Sequence, residues 1–316
     1  MVTLEDLPGP FVTTVAVVLG LVFGSFLNVV IYRLPRGESL SHPPSRCPGC
    51  GKAIRIYDNI PVLGWLLLLG RARCCKVRIS VRYPLIEALG GLLAWAIVRM
   101  IIFELPDETL WWKVVLIFAA YLALALGLLA ASFIDLDHMY LPDQITLGGA
   151  ALGFASIPLR EMSLKDAALG ALVGFLVVWL PFDFLYSKLR GMPGMGLGDA
   201  KLVMLAGAWF GWQGALFALL GGAVQASFTA LAVYLARGRL DEPESVIRER
   251  EELRALLEST EGEERAELER EMARDPLAFE PEAGLGKARF AFGPFLALAT
   301  IEYMLFGDVI LRAVFP

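Results

Sequence analysis

FVTTVAVVLGLVFGSFLNVVIYRLPR, residues 11–36, is an apolar run that stops abruptly at Arg33 and Arg36. Residues 11–31 are enough α-helix to cross a hydrocarbon layer, which takes about 20 apolar residues. A cleaved signal peptide carries its positive charge ahead of the apolar region, whereas here the charge follows it. The stretch therefore reads as a first transmembrane helix with its basic end in the cytoplasm and the N-terminus outside. Gly20, Gly24, Ser25 and Asn28 give this helix a small, polar face, suited to close helix packing and to an interhelical hydrogen bond.

Similar runs recur along nearly the whole chain. Of 316 residues, 57% are hydrophobic and 19% charged, which is too apolar for an ordinary soluble domain. The fold class expected is an all-α polytopic membrane protein of about eight transmembrane helices with a small cytoplasmic Cys-containing domain. The divisions are a first helix in 1–32, a Cys-containing domain in 33–83, a transmembrane core in 84–236, a charged helical insertion in 237–283 and a final helix in 284–316. Residues 33–83 hold ten Lys or Arg against Glu38 and Asp58, which places them in the cytoplasm. Residues 237–275 hold 14 acidic and eight basic side chains in a helix-favouring composition, so the net charge of -5 resides there and the remainder is near neutral. A solvated helix or a partner-docking arm would both suit it. No sequence repeat stands out.

All four cysteines lie between Cys47 and Cys75 beside basic residues, a pattern for a metal site or reduced thiols rather than for disulfides. Cys47 and Cys50 form a zinc-knuckle half. The second half offers adjacent Cys74 and Cys75, with Ala72 where a C-x-x-C pair would begin. His42 is a conceivable substitute ligand. Two readings stay open, a structural metal such as zinc, which would let so small a segment fold, and free thiols.

Two acids stand apart from the solvated ones. Asp135 follows the apolar run 111–133, where an ionisable group is costly enough to indicate function. Asp199 ends the loop Gly194-Met195-Gly196-Leu197-Gly198-Asp199 at the mouth of another apolar run. Gly196 and Gly198 can hold it at a bend by positive φ or by close approach. Counting spans from the first helix puts both acids at the cytoplasmic edge of the membrane. Asp137 and His138 share the polar connection after the third span, and Asp143 reads as the cap of the next helix. Two carboxylates in a poorly solvated site share one proton and so supply a base and an acid. That pair can activate water against an amide without a covalent intermediate. No H-E-x-x-H occurs, His138 has no Ser or Cys partner nearby, and the glycine loop joins apolar helices instead of opening a βαβ unit.

Several ordered motifs together resemble the type IV prepilin peptidases, the bifunctional leader peptidases and N-methyltransferases of GxGD aspartic type. They are Gly24-Ser25-Phe26-Leu27-Asn28-Val29-Val30 with Arg33-Leu34-Pro35, the cysteines of 47–75, Arg82-Tyr83-Pro84-Leu85-Ile86-Glu87, residues 133–143, residues 194–201 and Phe292-Gly293-Pro294-Phe295. The resemblance implies catalysis by Asp135 and Asp199, with Gly196, Gly198, Asp137, His138 and Lys201 shaping the site and Cys47, Cys50, Cys74 and Cys75 as metal ligands. It implies S-adenosylmethionine as methyl donor, at a site the sequence does not locate, and zinc as a candidate metal. The expected substrates are prepilins of type IV pili or pseudopilins of type II secretion, cut after a Gly at the cytoplasmic face of the inner membrane. Lipid is the other expected partner, nucleic acid is not one, and the oligomeric state is not legible. Two competing classes are a transporter carrying protons on the two Asp and a non-catalytic assembly factor; the first would place the acids at mid-membrane.

Overall fold

A computed structural model describes residues 2–47, 49–190, 194–238, 242–260, 262–272, 278 and 290–314. In chain order its helices are α1 (Gly9–Arg33), α2 (Leu63–Leu67), α3 (Arg82–Met100), α4 (Trp111–His138), α5 (Asp143–Ala155), α6 (Leu164–Val178), α7 (Tyr186–Arg190), α8 (Leu197–Arg237), α9 (Glu244–Ser259), α10 (Gly262–Met272) and α11 (Gly293–Val314). Among the described residues β pairing is limited to isolated bridges. Six helical stretches are long and apolar enough to cross a membrane. The chain is an all-α multi-pass membrane protein.

The residues group into two units. The first comprises Met1–Ala130, Ala155–Glu161 and Leu305–Pro316. In it α1 and α3 meet backbone to backbone, because Gly20 and Gly90 oppose each other. A Cβ on Gly20 would lie 2.4 Å from the Gly90 carbonyl oxygen, and one on Gly90 2.5 Å from that of Gly20. Asn28 Nδ2 donates to the Tyr83 carbonyl at 3.3 Å, so the small, polar face of α1 packs and bonds between helices.

The second unit comprises Ala131–Phe154 and Met162–Met304. Its tightest crossing is α6 on α8, where a Cβ on Gly207 would lie 2.0 Å from the Gly170 carbonyl oxygen. Trp209 is 1% exposed and donates its indole N–H to the Gly149 carbonyl of α5 at 2.8 Å. α6 passes into a π-helical stretch, Trp179–Leu185, around Pro181, which has no N–H for the helical ladder.

The 41 residues of α8 are two spans. Leu141 lies against both Gly198 and Gly293, so the first turns of α8 and α11 are neighbours, yet Gly222 packs on Leu296, one turn into α11. A straight helix would carry Gly222 roughly 36 Å from Gly198. The chain doubles back at Gly211, the one non-helical residue, with φ 71° and ψ -172°. Counting α8 twice and adding the 13-residue α5 to the remaining long helices gives the eight segments expected.

Within the charged insertion, α9 and α10 are described. Val246 and Arg250 of α9 are buried, Arg250 pairs with Glu242 at 2.7 Å, and the Ser245 hydroxyl donates to the Asp137 carbonyl. The beginning of the insertion is thus packed, not solvated throughout. The expected junction at 283–284 lies outside the described residues.

Candidate active site

Asp135 lies inside α4, not in the connection after it. The helix continues because the Met139 N–H still reaches the Asp135 carbonyl at 2.8 Å, and it stops at Met139, whose φ is 52°. Asp135 is 5% exposed, and its Oδ2 accepts the Gly293 N–H at 2.9 Å. That donor is available because the first N–H groups of a helix have no partner within it. A side chain at 293 is excluded, since a Cβ there would come within 2.8 Å of the same oxygen.

Asp199 is the third residue of α8 and half-buried. Its N–H closes a turn onto the Gly196 carbonyl at 3.1 Å, and its Oδ2 folds back to 3.4 Å from where a Gly196 Cβ would stand. Positive φ is not what these glycines contribute: Gly196 has φ -69°, and neither Gly194 nor Gly198 is among the positive-φ residues. Gly198 serves close approach, as a Cβ there would be 3.0 Å from the Leu141 Cβ. Leu141, 7% exposed, wedges between the first turns of α8 and α11. Asp135 and Asp199 are near enough for their charges to act on each other.

The polar neighbours tie this arrangement together. Lys201 Nζ bonds Asp143 Oδ1 at 2.6 Å, linking the first turns of α8 and α5. Asp143 is itself the first residue of α5, while the Pro142 carbonyl accepts from Ile145 and Thr146, so the capping role expected for Asp143 passes to Pro142. Asp137 contributes its carbonyl to Ser245, and His138 closes α4 half-buried.

In the first unit the four cysteine sulfurs all lie within 4.8 Å of one another, with Cys47 to Cys75 at 3.5 Å and Cys50 to Cys74 at 3.2 Å. A tetrahedral zinc with about 2.3 Å bonds to sulfur would set its ligands about 3.8 Å apart, so the donor set fits. His42 is not in the cluster; its Nδ1 is 3.3 Å from Ser41 Oγ. Two like turns build the site. In the first, Cys47 N–H donates to the Lys52 carbonyl, Gly51 N–H to the Cys47 carbonyl, and Arg46 bridges Ala53. In the second, Ala72 donates to Val77, Lys76 to Ala72, and Arg71 bridges Arg78. Gly51 and Lys76 match too, with φ 68° and 62°. This is an internal repeat that sequence inspection missed, because Ala72 replaces the first thiol and Cys74 stands where the first turn has Gly49. A bond from the Gly49 N–H holds the Cys47 thiol down at about 6, whereas contact with neighbouring thiols, Cys50 foremost, pushes Cys74 up to about 12.

Residues 18–101 match the bacterial peptidase A24 N-terminal domain and residues 122–231 the type IV leader peptidase family. The chain belongs to the type IV leader peptidase family. A prepilin leader peptidase/N-methyltransferase of Myxococcus xanthus is 42% identical over 241 residues, covering 75% of this chain and 68% of that one. One of Pseudomonas putida is 39% identical over 257 residues, 74% and 84% of the two chains. One of Neisseria gonorrhoeae is 35% identical over 255 residues, 73% and 85%. No solved structure matches.

As a member of the leader peptidase family, the protein is a peptidase, and both acids fall in the segment matched to that family. The structure brings Asp135, Asp199, Gly196 and Gly198 together, joins Lys201 to Asp143 and gathers the four thiols. Sequence reasoning did not assign Gly293 or Leu141 to this group. The signals for Gly293 were its membership of the Phe292-Gly293-Pro294-Phe295 motif and its place before Pro294 at the start of an apolar run, a position from which a backbone N–H points out of the helix.

Proposed function

We propose that the protein removes the leader of type IV prepilins or pseudopilins, cutting after a Gly at the cytoplasmic face of the inner membrane, and then methylates the new N-terminal amine. The observation that carries this reading is the pairing of Asp135 with Asp199 at the ends of membrane helices, with one oxygen of Asp135 held by the Gly293 N–H. One carboxylate takes a proton from water while the water oxygen attacks the scissile carbonyl carbon. The other, protonated, donates a hydrogen bond to the carbonyl oxygen and then gives its proton to the departing nitrogen as the C–N bond breaks.

The ten basic residues of 33–83 support a cytoplasmic site, because loops rich in Lys and Arg are retained there. The substrate's apolar helix lies in lipid, which brings its leader to the level of both acids. Cys47, Cys50, Cys74 and Cys75 would hold a zinc ion that folds the small module. S-adenosylmethionine, when bound, supplies the methyl group. Incubation of purified protein with a prepilin, read by mass spectrometry, tests the reading. Asp135→Asn and Asp199→Asn should each lower leader removal by about 10²–10⁴-fold, the range for loss of a general acid or base. Wild-type rates in either variant would refute the assignment.

A further inference from the structure

In the first unit the short helix α2 and its flanks carry an apolar outer face. Ile60, Leu63, Leu66, Leu67 and Leu69 are all exposed, the last two at 79% and 84%. Val22 of α1 and Leu92 of α3, on helices long and apolar enough to cross a membrane, are 50% and 56% exposed. The leucines of α2 are thus as bare as side chains on the spans themselves. Exposed apolar residues concentrated in so short a stretch mark a protein or membrane contact.

The inner face is filled by the module. A Cβ on Gly64 would lie 2.4 Å from the Asp58 carbonyl oxygen, and one on Gly70 would lie 2.8 Å from the Trp65 ring. That indole donates its N–H to the Ile79 carbonyl at 3.1 Å. Conformation does not call for the outer leucines. Leu69 has φ 51°, a region that Gly or Asn enters at less cost, yet the residue there is apolar.

Depth says what meets the outer face. The N–H of Val62, the residue before α2, donates to Glu87 Oε2 at 2.7 Å. Glu87 stands against α1 at Gly24, where a Cβ would be 3.0 Å from the Glu87 Cα. Gly24 precedes Arg33, the basic end of α1, by nine residues, which at 1.5 Å per residue is about 13 Å along the apolar run. A glutamate side chain is too short to bridge that distance. Helix α2 therefore begins beside the apolar lengths of α1 and α3, not beyond their ends.

We propose that the outer face of α2 is immersed in the bilayer leaflet at the Arg33 end of α1 and anchors the Cys module to it. The occupant is lipid, by continuity with the exposed sides of α1 and α3, which belong to the same unit. Arg71, Lys76 and Arg78 follow the leucines, are exposed, and meet the headgroup phosphates. The anchor does not depend on the reaction proposed above.

The test uses full-length protein in nanodiscs containing a phospholipid with a diazirine in its acyl chain. After irradiation and trypsin digestion, mass spectrometry should find lipid adducts on peptide 56–71, as on peptides of α1, with the charged helix α10 setting the background. The double variant Leu67→Asp, Leu69→Asp alters only exposed side chains, so its thermal transition should match wild type. Its adducts on 56–71 should fall to background while those on α1 persist. Wild-type adducts on 56–71 at background, or undiminished adducts in the variant, would overturn the anchor. Photoleucine incorporated in the same protein reports other occupants: crosslinks from 56–71 to a second copy or to added prepilin, with lipid adducts at background, would give the face to that partner and overturn it too.

Discussion

Gly293 and Asp135 are 158 positions apart, and a single hydrogen bond from one backbone N–H orients the carboxylate of the other. Glycine is required there by space, since a Cβ would meet Oδ2 at 2.8 Å and Leu141 at 2.9 Å. Gly293→Ala should therefore displace Asp135 and lower leader cleavage by about 10- to 100-fold, as small misplacements of reacting groups do. Gly148→Ala, where a Cβ meets nothing within 4 Å, should leave cleavage unchanged in the same kinetic assay. At this scale the sequence was informative about the acids, because a carboxylate at the edge of an apolar run is chemically conspicuous. It marked Gly293 as part of a motif but not its role, an N–H that every residue but Pro possesses; only the neighbourhood of α4 and α11 gives it meaning.

Close crossings made by opposed glycines hold each unit together at the level of elements. In α6 against α8 the backbones touch at Gly170 and Gly207, so Gly207→Leu cannot be absorbed by a rotamer change. The expected cost is about 3 kcal/mol or more, above the usual penalty for overpacking, and a lowered midpoint of thermal unfolding in detergent measures it. In the Cys module the two turns share backbone bonds while their thiols are placed differently. Wild type should carry about one zinc per chain by elemental mass spectrometry, as four thiolates imply. Cys74→Ala should lose it, and the pair Ala72→Cys with Cys74→Gly, which copies the first turn onto the second, should retain it. The apolar runs announced the helices through their length. The extension of α4 through Asp135 to His138 was not legible, because polar residues at a helix end and in a loop look alike until a bond such as Met139 N–H to the Asp135 carbonyl separates them.

The proposed orientation, with the N-terminus outside, rests on the basic residues of 33–83 that follow α1. Cysteine substitutions read this directly. Ser259→Cys, at the exposed end of α9, should react with a membrane-impermeant maleimide from the cytoplasmic side, and Glu108→Cys, exposed between α3 and α4, from the opposite side. The break within α8 was legible because Gly211-Trp212-Gln213 interrupts an apolar stretch too long for one span. The packing of Ser245 on Asp137 was not, since nothing in a charged helical composition says which of its residues dock.

If Asp135 and Asp199 act as one unit, a double-mutant cycle on prepilin cleavage will show it. Rates of leader removal would be measured by mass spectrometry for wild type, Asp135→Asn, Asp199→Asn and the double variant, each folded by its thermal transition. Residues that act as a unit are strongly non-additive, so the double variant should be no slower than the slower single one. Losses that multiply in the double variant, or a single variant that cleaves at the wild-type rate, would contradict the account.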